Sequence, residues 1–258
     1  MQKDPWSPDQ YGRFRDERNR PFYDLLGRIH RRDRMRVVDL GCGTGELTKE
    51  LHAFLGARVT LGIDSSEAML SRCGEFAGGG LRFEKGEIES FIGAGEWDLV
   101  FSNAALHWAP DHPALFGRLA TCVAKEGGQL ALQLPANDDH PSHSVAADIA
   151  RTSPFKEALG GWEKPRHVLA PEQYAALLER LGFREQQVSL EVYGHHLETR
   201  DEVVEWVKGT TLTAYQKRME GGLYDEFLEK YRAALREKLE DRSPFFYTFK
   251  RILMHAAR

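Results

Sequence analysis

The segment that most constrains the fold is residues 35–45, Met-Arg-Val-Val-Asp-Leu-Gly-Cys-Gly-Thr-Gly. Its valines and leucine are typical of a short strand that is buried on both faces. Gly41 and Gly43 can adopt positive φ angles and allow the backbone to approach a ligand closely. A helix that begins near Glu46 would direct its free N–H groups at the same loop. The segment therefore predicts a ligand-binding strand, loop and helix.

The spacing of the glycines and of two acidic residues narrows the class of ligand. Dinucleotide-binding loops carry Gly-x-Gly-x-x-Gly, whereas this loop reads Gly-x-Gly-x-Gly, and no Lys-Ser or Lys-Thr pair of a phosphate loop follows. Asp39 ends the first strand, where it can fix the loop or reach the ligand. Asp64 ends the next predicted strand, where a carboxylate suits the two hydroxyls of a ribose. A ligand with a ribose but no phosphate is therefore favoured, and redox use of a nicotinamide is disfavoured.

These two motifs together resemble a known family. The glycine loop, followed by Gly-Ile-Asp-Ser-Ser at residues 62–66, is similar to the class I S-adenosylmethionine-dependent methyltransferases. The resemblance implies a Rossmann-like, doubly wound α/β sheet of seven strands with a helical cap. It also implies S-adenosylmethionine as cofactor and S-adenosylhomocysteine as product. The His195-His196 pair has no acid or cysteine at metal-ligand spacing, so no metal is expected. Cofactor binding is assigned by this resemblance to Asp39, Gly41, Gly43, Asp64, Ser65, Glu87, Ile88, Asn103, Ala104 and Trp108.

Three of these assignments have specific roles by the same resemblance. Glu87 would accept a hydrogen bond from the adenine amine, at a position where many relatives carry aspartate. Its neighbour Ile88 would pack on the adenine face. The backbone of Asn103 would meet the methionine part of the cofactor.

The order of predicted elements is that of a parallel α/β sheet with additions. Strands alternate with helices from the glycine loop to residue 135, a further strand is expected at 187–194, and a last one at 245–256. We divide the chain into an N-terminal lid and helix (1–34), a cofactor-binding core (35–135), an insertion with the remaining core helix and strand (136–197), a helical cap (198–242) and the final core strand (243–258).

The first segment carries large aromatics among arginines and is too polar to be core. One interpretation is a lid, in which Trp6 and Tyr11 cover the cofactor and Arg18 lies near a carboxylate. The alternative is a surface helix whose aromatic edge rests on the domain.

Charge and cysteine content limit the partners and the compartment. Lys and Arg number 35 and Asp and Glu 39, a net charge of −4, which argues against a nucleic-acid partner. No apolar run is long enough to span a bilayer, so no membrane partner is expected. The three cysteines have neither a Cys-x-x-Cys spacing nor a disulfide framework, which favours a reducing, cytoplasmic location. We expect a monomer or a homodimer.

Pieces outside the core narrow the resemblance. They are Trp-x-Pro-x-Gln-Tyr at residues 6–11, Ser-Asn-Ala-Ala-Leu-His-Trp at 102–108 and Trp-Val-Lys-Gly-Thr at 206–210. With them the chain resembles the trans-aconitate methyltransferases, which methylate a carboxylate of a small polyacid. The resemblance implies a small-molecule carboxyl O-methyltransferase.

Methyl transfer to a carboxylate needs cations rather than a base. A carboxylate is already ionised at neutral pH, and arginine suits its remaining oxygens as a permanently charged, two-pronged donor. Candidate cations are Arg18, Arg166, Lys208, Lys250 and Arg251. Trp206 and Tyr215 could line the substrate pocket.

Two alternatives to a carboxyl methyltransferase stay open at this point. A hydroxylated or amino metabolite as substrate would require a base, and His107 is the best placed. A cofactor-binding protein of the same fold without turnover would require neither the cations nor the base.

Overall fold

The computed structural model describes residues 15–258, with side chains from Asn19 onward. Trp6, Tyr11 and the side chain of Arg18, which the sequence assigns to a lid, therefore lie outside the described residues.

The described residues form a sheet of seven strands. The strands are β1 (Arg36–Leu40), β2 (Val59–Asp64), β3 (Leu81–Lys85), β4 (Leu99–Asn103), β5 (Gln129–Pro135), β6 (Glu185–Leu197) and β7 (Phe245–Ala257). Their order across the sheet is β3-β2-β1-β4-β5-β7-β6. Strands β1 to β5 are parallel, and β7 is inserted antiparallel between β5 and β6. The predicted doubly wound sheet of seven strands is confirmed.

Helices cover both faces of the sheet and its carboxyl edge. They are α1 (Arg15–Leu26), α2 (Glu46–Leu55), α3 (Glu67–Leu70), α4 (His112–Cys122), α5 (Pro141–Ala150), α6 (Phe155–Ala158), α7 (Pro171–Arg180), α8 (Glu202–Lys208), α9 (Thr213–Gln216) and α10 (Leu223–Lys238). Short 3₁₀ turns lie at Cys73–Phe76, Ile88–Ser90 and Leu106–Trp108. None of the described helices has the combination of length and apolar character that a membrane crossing requires.

Alternating side chains of the central strands divide the core into two layers. Val38 packs with α4 and α7 on one face, whereas its neighbour Val37 packs with α1 and α2 on the other. Both valines are fully buried. A strand that is buried on both faces holds the loop that follows it, because neither face can move without opening a packed layer.

Strands β6 and β7 extend past the carboxyl edge of the sheet and support the cap. β5 pairs with β7 only as far as Arg251, whereas β6 pairs with β7 along its whole length to Phe245. The expected strand at 187–194 is therefore longer at both ends. The projecting ends carry Tyr247 and Phe249 into a separate apolar cluster with α5, α6, α8, α9 and α10. The cap thus combines helices from the insertion at 136–197 with those of residues 198–242.

Candidate active site

A cavity of about 350 Å³ lies at the carboxyl ends of β1, β2 and β4. Its lining includes the cofactor residues expected from the sequence, namely Gly41, Gly43, Asp64, Ser65, Glu87, Ile88, Asn103, Ala104 and Trp108. Sequence reasoning did not single out Leu47, Met69 and Arg72, which also line it. Leu47 and Met69 belong to the helices after β1 and β2, and Arg72 lies in the turn after α3, where no motif marked them. We call this space the cofactor cavity.

The glycine loop has the backbone geometry that only glycine adopts without strain. Gly41, Gly43 and Gly45 have φ angles of 79°, 57° and 80°. A methyl group on Gly41 would overlap the Cβ of Ala105, so the two loops at the ends of β1 and β4 are in direct contact there. A methyl group on Gly43 would meet no atom within 4 Å and would extend into open space. Gly43 therefore leaves room for a ligand, whereas Gly41 leaves room for the neighbouring loop.

Asp64 joins the loop to the end of β2. Its Oδ2 accepts a hydrogen bond of 2.9 Å from the backbone N–H of Gly43, and its Oδ1 accepts one of 2.9 Å from that of Ser66. An ionised carboxylate has about four acceptor positions, so each oxygen keeps a lone pair for a further donor. The two hydroxyls of a ribose are donors of the kind that Asp64 can still accept.

Asn103 lines the same cavity and carries a buried acceptor. Its Oδ1 has no hydrogen-bond partner among the described residues, although it is shielded from solvent. A buried acceptor without a partner costs about 1–3 kcal/mol, and a ligand ammonium or amide would remove that cost. The next residue, Ala104, has a φ angle of 55°, a strained value of the kind that clusters at binding sites. The lining thus fits the ribose and the amino group of S-adenosylmethionine.

Asp39 lies below the loop rather than in the cavity. It is 4% exposed, and its Oδ2 accepts a hydrogen bond of 2.6 Å from the hydroxyl of Thr48 in α2. Burial, with a smaller contribution from the charge of Asp64, raises its pKa to about 7, although the hydrogen bond from Thr48 acts in the opposite direction. The sequence left two roles open for Asp39, and this geometry is that of a residue that fixes the loop and helix. It is not among the residues that line the cofactor cavity.

Two thiols support the loop from below. The sulfurs of Cys42 and Cys73 lie 3.9 and 3.4 Å from the carbonyl oxygen of Gly43. Both residues are buried, and both are free cysteines. The hydrogen bond to Cys73, together with burial, raises the pKa of the Cys42 thiol. A protonated thiol is a weak nucleophile, so Cys42 can lie beside a methyl donor without competing for the methyl group.

A second, smaller cavity of about 120 Å³ adjoins the first. Both cavities are lined by Asn103, Ala104 and Trp108, the residues at the end of β4. On its far side the smaller cavity is lined by cap residues, among them Lys164, Trp206 and Thr210. We call it the acceptor cavity, because a group bound there would face a group bound in the cofactor cavity.

Two cations and two neutral histidines line the acceptor cavity. Arg251 is 5% exposed, with its guanidinium 4.8 Å from the ring centre of Phe249. Lys164 is half-buried, and its ammonium lies 3.9 Å from a carboxylate oxygen of Asp138. Burial, reinforced by the charge of Lys164, lowers the pKa of both His107 and His143 to about 3. The cavity therefore carries two cations against one acid, Asp138, and His107 and His143 are uncharged at neutral pH.

The other substrate residues expected from the sequence are placed apart from the acceptor cavity. Only Trp206, Arg251 and His107 line it; Lys208, Arg166 and Tyr215 do not. Lys208 lies 3.8 Å from Glu205 on its own helix. Lys250 forms an ion pair with Asp139.

Arg166 and Tyr215 instead line a separate cavity in the cap. Sequence reasoning missed Lys164, His143 and His167. His143 lies in α5, whereas Lys164 and His167 lie in an irregular segment where spacing gives no signal. Among the described residues, no three His, Cys, Asp or Glu side chains come together as a metal site.

Comparison with known proteins decides the family. The family described as a methyltransferase domain matches residues 11–188. A curated trans-aconitate 2-methyltransferase of Deinococcus radiodurans is 40% identical and covers 98% of both chains. One of Mycobacterium sp. (strain KMS) is 34% identical and covers 97% of this chain and 98% of the relative. The chain belongs to the trans-aconitate 2-methyltransferase family.

Solved structures share the fold of this methyltransferase. YcgJ from Bacillus subtilis is similar with a TM-score of 0.60 at 15% identity, covering 92% of this chain and 98% of that one. A methyltransferase from Thiobacillus denitrificans, solved with S-adenosylhomocysteine, gives a TM-score of 0.51 at 18% identity and covers 99% of this chain and 93% of that one. These structures show the fold, whereas the family model and the curated relatives show that the chain is an S-adenosylmethionine-dependent methyltransferase, as its glycine loop predicted. The alternative of a non-catalytic binding protein is set aside by the family.

Proposed function

We propose that this methyltransferase forms a methyl ester on a small polycarboxylic acid, with trans-aconitate as the acceptor. The observation that carries the proposal is the acceptor cavity, which Arg251 and Lys164 line and which adjoins the cofactor cavity. A tricarboxylate needs cations for the carboxylates that do not react, and a buried arginine is the residue best suited to bind one. The curated relatives that match nearly the whole chain are named for this acceptor.

The chain holds the two partners of the reaction in adjoining spaces. Asp64, Gly43 and Asn103 would hold the cofactor through its ribose and its amino acid part. Bound S-adenosylmethionine supplies an activated methyl group, which a carboxylate oxygen of the acceptor takes without release of a proton. The remaining task of the chain is to align the acceptor and exclude water, and fixed binding groups can lower a barrier substantially in that way.

The low pKa of His107 favours a carboxylate acceptor over an alcohol or an amine. An alcohol or ammonium acceptor must lose a proton, and a general base works best with a pKa near the working pH. His107 has a pKa of about 3, so it would be a weak base. A carboxylate acceptor needs no base, and the same cations that lower the pKa of His107 would attract the anion.

The experiment measures methyl ester formation by mass spectrometry, with S-adenosylmethionine and a panel of trans-aconitate, simpler dicarboxylates, phenols and amines. We expect ester from trans-aconitate. Replacement of Lys164 by Met should raise the KM for the acid about tenfold, the loss of one charge-assisted hydrogen bond, and leave the affinity for S-adenosylhomocysteine unchanged.

The matched control is Lys125→Met. Lys125 is exposed in the turn before β5, at the opposite edge of the sheet, so this change removes the same charge without reaching the cavity. Turnover of phenols or amines, with no ester from any acid, would overturn the proposal.

A further inference from the structure

The cap contains a third cavity, of about 330 Å³, that the methyl transfer does not use. It lies between the end of α5, the short helix α6, the segment that follows α6, and α9. Its basic lining residues are Arg151, Lys156, Lys164 and Arg166, against a single acid, Glu163. We call it the outer cavity. Four cations in one space are unexpected in a chain whose net charge is −4.

Two of these four cations, Lys156 and Arg166, form no ion pair with the described residues. Arg151 is neutralised by Glu163 through two hydrogen bonds of 2.8 and 2.9 Å. Within the described part of the chain, the side chains of Lys156 and Arg166 form no ion pair or hydrogen bond. Lys164 has only the distant contact of 3.9 Å with Asp138. An anion in the outer cavity would therefore find cations whose charge is not already compensated.

Aromatic residues complete the cavity. Trp162 and Tyr215 also line it, with their rings edge to face at 5.7 Å. Tyr215 is buried, and burial raises its pKa to about 12. Its hydroxyl therefore stays protonated at neutral pH. A cavity of cations, a rigid aromatic wall and a neutral hydroxyl suits a small, multiply charged anion better than an apolar ligand.

The outer cavity adjoins the acceptor cavity. Lys164 and Pro165 line both spaces, so they form a shared wall. The charge of Arg166 also contributes to the lowered pKa of His143, which lines the acceptor cavity. The positive field is thus continuous from the cap surface to the acceptor cavity, and such fields raise the local concentration of oppositely charged molecules.

We propose that the outer cavity is a second binding site for a small polycarboxylate, next to the site where methyl transfer occurs. This inference rests on the proposed function for the choice of anion. One anion would bind between Lys156, Arg166 and Tyr215, and a second would bind to Arg251 in the acceptor cavity. Lys164 lies between them and serves as the shared cation.

Isothermal titration calorimetry tests this with trans-aconitate and the complete chain saturated with S-adenosylhomocysteine, so that no turnover occurs. We expect two molecules to bind per chain. The double variant Lys156→Ala/Arg166→Ala should weaken binding in the outer cavity at least tenfold and leave binding in the acceptor cavity unchanged. Arg251→Met should weaken binding in the acceptor cavity and leave binding in the outer cavity unchanged. Lys125→Ala is the control for an exposed lysine, and circular dichroism checks that each variant is folded.

The outcomes separate the two proposals. A single site that Arg251→Met removes and Lys156→Ala/Arg166→Ala does not would overturn the outer site while leaving the acceptor site intact. A single site that Lys156→Ala/Arg166→Ala removes and Arg251→Met does not, together with no ester, would instead reject the proposed acceptor and keep the outer site. Inorganic phosphate that binds the outer site as tightly as trans-aconitate would reject the assignment to polycarboxylates.

Discussion

The buried carboxyl of Asp39 makes the stability of this enzyme depend on pH in an unusual direction. Its pKa is about 7 in the folded chain and 3.8 in an exposed aspartate. Between these values the folded chain binds a proton that the unfolded chain has released. The folded state therefore loses stability as the pH rises from about 4 to about 7, the opposite of the behaviour of an ion-paired aspartate.

The size of the effect follows from the same two values. Each pKa unit corresponds to 1.36 kcal/mol, so an ionised Asp39 would cost about 4 kcal/mol above pH 7. The substitution Asp39→Asn removes this ionisation and keeps an oxygen that can accept the hydroxyl of Thr48. Between about pH 5.5 and about pH 8, the advantage of the variant over the natural chain should grow by about 2 kcal/mol.

Urea unfolding at these two pH values measures this difference directly. The many buried histidines also make stability depend on pH, but they are common to both chains and cancel. Asp33→Asn is the control, because Asp33 is exposed in the turn before β1 and the change in charge is the same. If Asp39→Asn gives the same difference in unfolding free energy at both pH values, burial does not keep this carboxyl protonated and the reasoning fails.

The remaining predictions concern the cofactor cavity and the acceptor cavity. Gly41→Ala should weaken S-adenosylhomocysteine binding at least tenfold and lower the melting temperature, because its methyl group overlaps Ala105. Gly43→Ala should weaken the same binding with a smaller loss of stability. Calorimetry measures both the binding and the melting temperature. Asn103→Ala should weaken the same binding about tenfold without lowering the melting temperature, because it deletes an acceptor without a partner. His107→Gln should leave the shape of the pH–rate profile unchanged between about pH 6 and about pH 9; a limb that disappears in this variant would show that His107 acts as a base.

The cofactor side of the site could be predicted from the sequence because its residues belong to one continuous unit. The strand, the loop and the helix of residues 35–55 follow each other directly, and Asp64 ends the adjacent parallel strand. Parallel strands place their carboxyl ends at one edge, so local patterns were sufficient to bring Gly43 and Asp64 together. Asp39 shows the limit: its position at the end of a strand could not tell whether its carboxylate points to the ligand or to α2.

The acceptor side could not be predicted in the same way because it depends on pairing between distant segments. Lys164 belongs to an extended segment after α6, without periodicity that would mark a face. Arg166 and Lys208 were equally plausible from composition, since charge and spacing do not state whether a cation faces a cavity or solvent. The division into an insertion and a separate cap also hides that helices from both pack in one apolar cluster.

Arg251 lines the acceptor cavity because β7 runs antiparallel to its neighbour β5. In a parallel sheet, a residue in the middle of a strand lies far from the binding edge. Because β7 runs antiparallel and projects beyond its neighbour, Arg251 pairs with Pro135, the last residue of β5. An amphipathic strand pattern gives no information on this register. The register is set by the continuous pairing of β5 with β7, from Leu130 with Ala256 to Pro135 with Arg251. A shift of one residue would turn the guanidinium to the opposite face of the sheet, so the position of the cation depends on the packing of the whole β5–β7–β6 edge.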